Sequence, residues 1–427
     1  MHIRLLILFV LAYAAAHPAP ASGDSLSSHT GVKTVNLDLS EGTWMSLDVS
    51  PDGKFISFDL LNDIYVMPAS GGKAVAIHQG SVAQRSPQFS ADGQFLTYLS
   101  DESGADNVWV SRVDGSEARQ ITQESHAMIA GPAWAADGKS IAAVKTYSDI
   151  FRVRNSEIHL YNLDGTSDEI IVSPPQSGKD VQEPRFSPDG RYLYYTERIG
   201  GDHYVYMNTG LKNFAINKLD LETGKKRRAI SGFGGASTPQ VSPDGNSVAF
   251  IRRLGAKTVL FVKDLETGYE QPIYDELGRD LHGDYLPQEH YYPSFDWFPD
   301  NRTIAIWAKG KIVRIDTHSA SAEEIPFSLT SRHELQPAIR VKQDLAPEQV
   351  TIRTLRQLAP QPTGQTILFR AVGKLWKIKM DAPARPARLT TSDAAESDPA
   401  WSPDGQKIVY TNWTDQTGSR LVIRNAA

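Results

Sequence analysis

Residues Ser86–Thr122 read SPQFSADGQFLTYLSDESGADNVWVSRVDGSEARQIT. Ser86–Ser90 has the length of a short strand, and Ser90–Gly93 (SADG) has the composition of a tight turn. Gln94–Leu99 alternates large side chains as a second strand does. A polar stretch, Asp101–Asp106, then leads to Asn107–Arg112 (NVWVSR). The Asp114-Gly115 turn follows, and Glu117–Thr122 (EARQIT) completes the stretch. Alternation of period two, broken by Asp-Gly and Ser-rich turns, predicts four antiparallel strands joined by hairpins. The turn chemistry supports this reading. Ser and Asp side chains bond nearby backbone N–H groups, Pro presets φ in the related S-P-D-G turns, and Gly accepts a positive φ on re-entry to the next strand.

The same turn recurs along the chain. Copies stand at Ser50–Gly53, Ser90–Gly93, Ala135–Gly138, Ser187–Gly190, Ser242–Gly245, Phe298–Asn301, Gln361–Gly364 and Ser402–Gly405, with steps of 40, 45, 52, 55, 56, 63 and 41 residues between their third positions. Periods of that size belong to propeller blades or solenoid units, and units made only of strands select the propeller. The expected fold is therefore all-β: a β-propeller of four-stranded antiparallel blades, about eight of them or alternatively seven. Three residues before each turn Asp or its equivalent stand Val49, Phe89, Trp134, Phe186, Val241, Trp297, Pro360 and Trp401, which suits packing of blade against blade. Pro87, Pro132, Pro184, Pro239 and Pro399, five before it, mark the starts of inner strands.

Residues 1–21 have the form of an export signal: Arg4, then the apolar Leu5–Ala16, then small-residue cleavage sites at Ala14–Ala16 or Ala19–Ala21. The 12-residue apolar run is too short to span a bilayer. The expected location is thus periplasmic or secreted, with no membrane span. The chain has no cysteine, which excludes disulfides and thiolate metal sites. A net charge of −6, with Lys and Arg scattered singly, argues against a nucleic-acid partner. Residues 22–40 form an N-terminal segment and 41–427 the propeller. The eighth repeat runs out after three strands. Val32–Leu39 (VKTVNLDL), the one strand-like segment before the first turn, is expected to close the ring as the outer strand of that last blade, because an unpaired edge invites aggregation. Insertions lengthen Gly200–Asn213, Asp275–Tyr292 and Ser328–Val350.

The full pattern, xPxWSPDGxxI(A/V)(F/Y) followed by an (I/V)(Y/W)V strand and an R-x-(I/L)-T strand, resembles the TolB-like (PD40, WD40-like) propeller repeats. Glu41–Phe58, Asp59–Val66, Asp106–Arg112, Glu183–Tyr195 and Val241–Arg253 resemble most closely the exported proteins in which such a propeller precedes an imidazolonepropionase-like amidohydrolase barrel. That resemblance covers about residues 40–427 and implies a propeller beside a metal-dependent C–N bond hydrolase. This chain departs from the pattern in ending within a blade, before any barrel.

No catalytic constellation is legible. The 11 His residues contain no H-x-H pair, and Pro337 stands where His333-Glu334 would need the second ligand of H-E-x-x-H. G-x-S-x-G, P-loop and G-x-G-x-x-G fingerprints are absent from the sequence. Asp101–Asp106 lacks the alternating acidic spacing of a calcium loop. No metal and no cofactor is expected. What remains is the channel mouth, where Arg85, Glu183, Thr238, Tyr292 and Asp398 stand beside the blade-initial prolines or at equivalent positions and are expected to form a ligand- or peptide-reading rim. The expected function is a non-catalytic platform for a protein or ligand, with a separate protein or an associated hydrolase domain as partner.

Overall fold

In the S-x-D-G turns the side chains do what their chemistry dictates. Ser90 Oγ donates to Asp92 Oδ1 at 2.6 Å and accepts the Phe95 N–H at 3.0 Å, while the Asp92 carboxylate also accepts the Gln94 N–H at 3.0 Å. The pairing recurs at Ser50/Asp52, Ser187/Asp189, Ser242/Asp244 and Ser402/Asp404. These bonds hold the turn carboxyls below their usual range, Asp52 at about 2 with the Ser50 hydroxyl as the largest cause. Gly53 has φ +70° and lies against Pro299 of another repeat, where an added Cβ would come within 2.9 Å; there glycine is required twice over.

The computed structural model describes residues 33–148, 154–174, 180–200, 213–281, 290–335, 344, 346–381 and 385–426. Residues 1–21, read above as an export signal, and the centres of the three insertions lie outside these. The described residues are strands and turns throughout, and contacts divide the chain into two compact units at Pro337/Ala338.

The first unit holds six four-stranded antiparallel blades in chain order. Their inner strands are Leu47–Val49, Gln84–Phe89, Met128–Trp134, Val181–Phe186, Ser237–Val241 and Asp296–Trp297. Burial is concentrated between blades. Phe58, Tyr65, Trp297, Ile304, Ile251 and Leu260 belong to one core cluster that joins the fifth, sixth and first blades, so the ring closes at the sixth. Polar bonds run along the same seam. Leu47 N–H donates to Ser294 O at 3.0 Å, Gly42 N–H to Gly310 O at 2.9 Å, and Trp307 Nε1 to Gly42 O at 2.8 Å.

The second unit carries the last two repeats as a four-stranded sheet (Arg356–Pro360, Thr366–Ala371, Lys374–Lys379, Ala387–Arg388) and a three-stranded one (Ala395–Trp401, Lys407–Thr414, Gly418–Asn425). Its own core is built on Leu368, Leu375, Leu389, Ile408 and Tyr410. Every Asp-Gly repeat therefore forms a sheet, and the propeller reading stands.

The manner of closure differs from the sequence expectation. Lys33–Leu39 is not the outer strand of the last repeat. It pairs antiparallel with Phe327–Leu335, from Lys33↔Leu335 to Leu39↔Leu329. The reason is the route of the chain after the sixth blade. Phe327, Leu329 and Ser331 alternate inward, Phe327 sits 5.2 Å from the Phe58 ring of the first blade, and Phe327–Ser328 pairs in parallel with Gly72–Lys73. The strand that crosses from the last ring blade to the first thereby presents its free edge to the N-terminal segment, which covers it.

Candidate functional site at the ends of the inner strands

The inner strands of the second to fifth blades share one irregularity. Their registers shift between Arg85 and Gln88, Ala130 and Ala133, Gln182 and Arg185, and Ser237 and Gln240. The residue before proline takes positive φ in each: Ser86 (55°), Gly131 (55°), Glu183 (57°) and Thr238 (54°). Pro disfavours the right-handed helical region for its predecessor, and a bulge with a left-handed residue accommodates it. For a β-branched residue such as Thr238 that conformation is a strain, and the surroundings must hold it.

They do so through a buried latch. Glu183 is 1 % exposed, and its carboxylate accepts four bonds: from Thr196 Oγ1 at 2.6 Å, the Thr238 N–H at 2.6 Å, Thr238 Oγ1 at 2.9 Å and the Tyr291 N–H at 2.8 Å. Burial pushes this carboxyl up and the four donors oppose it. Asp59 performs the same task between the first two blades, accepting the Ser46 N–H at 2.8 Å and the Ser86 N–H at 2.7 Å. Burial raises it to about 6 against those bonds.

Two residues further along the inner strands, Asp48, Gln88, Arg185, Gln240 and Asp296 meet around one cavity of about 270 Å³ at the turn end of the strands. All five stand four residues before a turn Asp or its equivalent; the third blade has Ala133 there. Gln88 Oε1 accepts the Trp134 N–H at 2.9 Å, while Asp48 Oδ2 accepts the Phe89 N–H at 2.7 Å. The Trp134 and Trp297 indoles donate to the carbonyls of Gln88 and Gln240 in the preceding blades. Burial, then the neighbouring Asp296 carboxylate, pushes Asp48 well above the usual carboxylate range; burial pushes Asp296 up to about 6. A raised carboxyl pKa means that the fold loses stability as pH rises from about 4 through 6. Asp296→Asn removes that loss. It should be more stable than wild type by about 3 kcal/mol at pH 8, with the gain shrinking below pH 4, as thermal melting at the two pH values will show.

At the opposite end of the inner strands a wider mouth of about 840 Å³ is lined by Trp44, Asp59, Leu61, Arg85, Asp106 and His290, among others. Arg85 pairs with Asp106 at 2.7 Å. His290 Nε2 lies 3.4 Å from Ser86 Oγ, and the Asp59 carboxylate accepts the Ser86 N–H. Burial, then the Arg185 and Arg85 charges, pushes His290 down to about 3, which keeps it neutral.

The five residues expected at the rim are placed as follows. Arg85 lines the wide mouth. Glu183 and Thr238 are joined to each other in the buried latch. Tyr292 lies in the core, its hydroxyl donating to Trp307 O at 2.8 Å and accepting the Gly278 N–H. Asp398 belongs to the second unit, where it bonds Gln357. The residues that sequence reasoning missed are Asp48, Gln88, Arg185, Gln240 and Asp296, whose signal was a constant offset from the turn. Among the described residues no group of three or more His, Asp or Glu could hold a metal ion, and no helix is long and apolar enough to cross a membrane.

Residues 30–210 match the family model described as "PD40: TolB beta propeller domain". Over that stretch the chain is similar to a TolB β-propeller domain. An uncharacterized protein of Agrobacterium fabrum is 28% identical over 153 residues, 34% of this chain and 52% of that protein. Tricorn protease homolog 1 of Streptomyces coelicolor is 30% identical over 155 residues, 35% of this chain and 14% of that protein. The chain thus spans about half the length of the first relative and far less of the second. Among solved structures, TolB from Acinetobacter baumannii aligns with a TM-score of 0.49 at 17% identity, covering 68% of this chain and 65% of that one.

Proposed function

We propose that this chain is an exported, non-catalytic TolB-like propeller that serves as a binding platform, with the wide mouth of its channel as the docking surface. The observation that supports this most is the composition of that mouth. Trp44 (φ 61°), Leu61 (φ 53°) and Asn62 (φ 67°) all hold left-handed backbone there, and Leu61 is 46 % exposed. Strained backbone and an exposed apolar side chain beside an Arg85–Asp106 ion pair provide an aromatic and apolar anchor with a polar rim, which suits a protein segment. The family likeness to TolB agrees with a protein partner. An associated hydrolase domain, the arrangement implied by the amidohydrolase resemblance, would use the same surface.

The test is a photo-crosslinking amino acid at position 61, compared with one at the exposed Tyr269 on another blade, in cells exporting the protein. A discrete adduct from position 61 alone is expected, and its mass separates an independent partner from a hydrolase domain. Equal labelling from both positions, or none from either, would overturn the reading. Recovery of the chain only in the cytoplasmic fraction would remove export from it.

A further inference from the structure

The narrow cavity at the turn end contains a cation whose bonding is incomplete. Arg185 is 8 % exposed, its Nη1 donates to Pro184 O at 2.8 Å, and its Nε has no hydrogen-bond partner among the described residues. A buried guanidinium presents five donors in a planar fork, and natural interiors satisfy them. Its acidic neighbours are committed elsewhere. Asp48 Oδ2 accepts the Phe89 N–H, and Asp296 Oδ2 accepts the Val49 N–H at 3.3 Å. Burial pushes both carboxyls up, and the closeness of Asp296 adds to the shift at Asp48, which disfavours two full charges on this pair. The unmet hydrogen-bonding capacity at Arg185 is that of a donor. The amide groups of Gln88 and Gln240 stand on the same walls.

From this we propose that the turn-end cavity binds a carboxylate group, with Arg185 as its anchor. Planar, bidentate pairing with a guanidinium is what a carboxylate offers and a neutral carbonyl does not. A volume of about 270 Å³ admits a carboxylate with a few attached atoms, as on a small free acid or at the end of a peptide chain. This site lies at the other end of the inner strands from the mouth proposed as the docking surface, and it stands or falls separately from that reading.

The experiment is calorimetric titration of the full chain with three probes: acetate, N-acetyl-Ala-Gly with a free C-terminal carboxylate, and the same dipeptide as its amide. Trp134 and Trp297 fluorescence provides a second readout, because both indoles bond the cavity wall. A free-acid probe should bind at least about tenfold more tightly than the amide, the size of one charge-assisted bond. Arg185→Met should lose that preference in a protein that, although less stable, still melts cooperatively. Acetate binding as well as the dipeptide acid identifies a small acid as occupant; preference for the dipeptide identifies a chain end. Equal binding of acid and amide, no binding of either acid at millimolar concentration, or undiminished acid binding by a folded Arg185→Met protein would overturn the proposal. Should Arg185→Met not fold, the acid–amide comparison on wild type decides alone.

Discussion

Glu183→Ala should lose about 3–5 kcal/mol. The carboxylate is the common acceptor for Thr196 Oγ1, the Thr238 N–H, Thr238 Oγ1 and the Tyr291 N–H, drawn from the fourth blade, the fifth, and the segment leading into the sixth. Truncation leaves four buried donors without that acceptor and removes the support for Thr238 in a strained φ of 54°. The melting temperature should fall by about 10 °C. Glu183→Gln keeps one carbonyl oxygen but turns an amide N–H₂ toward donors, and should recover only part of the loss. A melting temperature within a degree or two of wild type for the alanine variant would show that the latch contributes nothing.

Trp297→Ala is expected to cost about 3–5 kcal/mol by a different mechanism. The indole is 3 % exposed, packs in the cluster shared by the fifth, sixth and first blades, and donates from Nε1 to Gln240 O at 3.1 Å. Its loss opens a cavity at the seam where the ring closes and frees a buried carbonyl. Trp401→Ala, at the same repeat position in the second unit, should cost less, because Trp401 is only partly buried although its Nε1 bonds Ala359 O in the same manner. Denaturant melts of the two variants compare them directly; equal losses would mean that burial at the seam is not what matters.

What could be read from the sequence was what local chemistry determines. Ser, Asp and Gly at fixed spacing form the same turn wherever they occur, so the repeats, the blade content and the aromatic position three before the turn were all legible. Ring closure was not, because it depends on contacts such as Phe327 with Phe58 and Gly42 with Gly310 that join distant parts of the chain. No turn residue distinguishes a blade that closes a ring from one that stands in a second unit. Of the five residues read as a rim, Arg85 lines the wide mouth. Alternation places neighbouring strand residues on opposite faces, and the bulge at Ser86, Glu183 and Thr238 breaks that alternation. It buries Glu183 and Thr238 in a latch, while the channel is read two residues later. There Asp48, Gln88, Arg185, Gln240 and Asp296 differ in type and share only their offset from the turn, so no motif announces them.

The central structural claim is that the ring closes at its sixth blade and that the N-terminal strand seals the crossing strand rather than the last repeat. The chain contains no cysteine, which makes engineered pairs unambiguous. Asp38 and Thr330 are direct cross-strand partners, with Thr330 Oγ1 donating to Asp38 Oδ1 at 2.7 Å. Directly opposed antiparallel residues have the Cα separation that a disulfide accepts, roughly 4.5–5.5 Å. The decisive measurement is the thiol count of two double variants after mild oxidation. Asp38→Cys with Thr330→Cys should lose both thiols to an intramolecular disulfide, and Asp38→Cys with Leu421→Cys, on the outer strand of the last repeat, should keep both. The reverse result, a disulfide to position 421 and free thiols at 38 and 330, would contradict this closure.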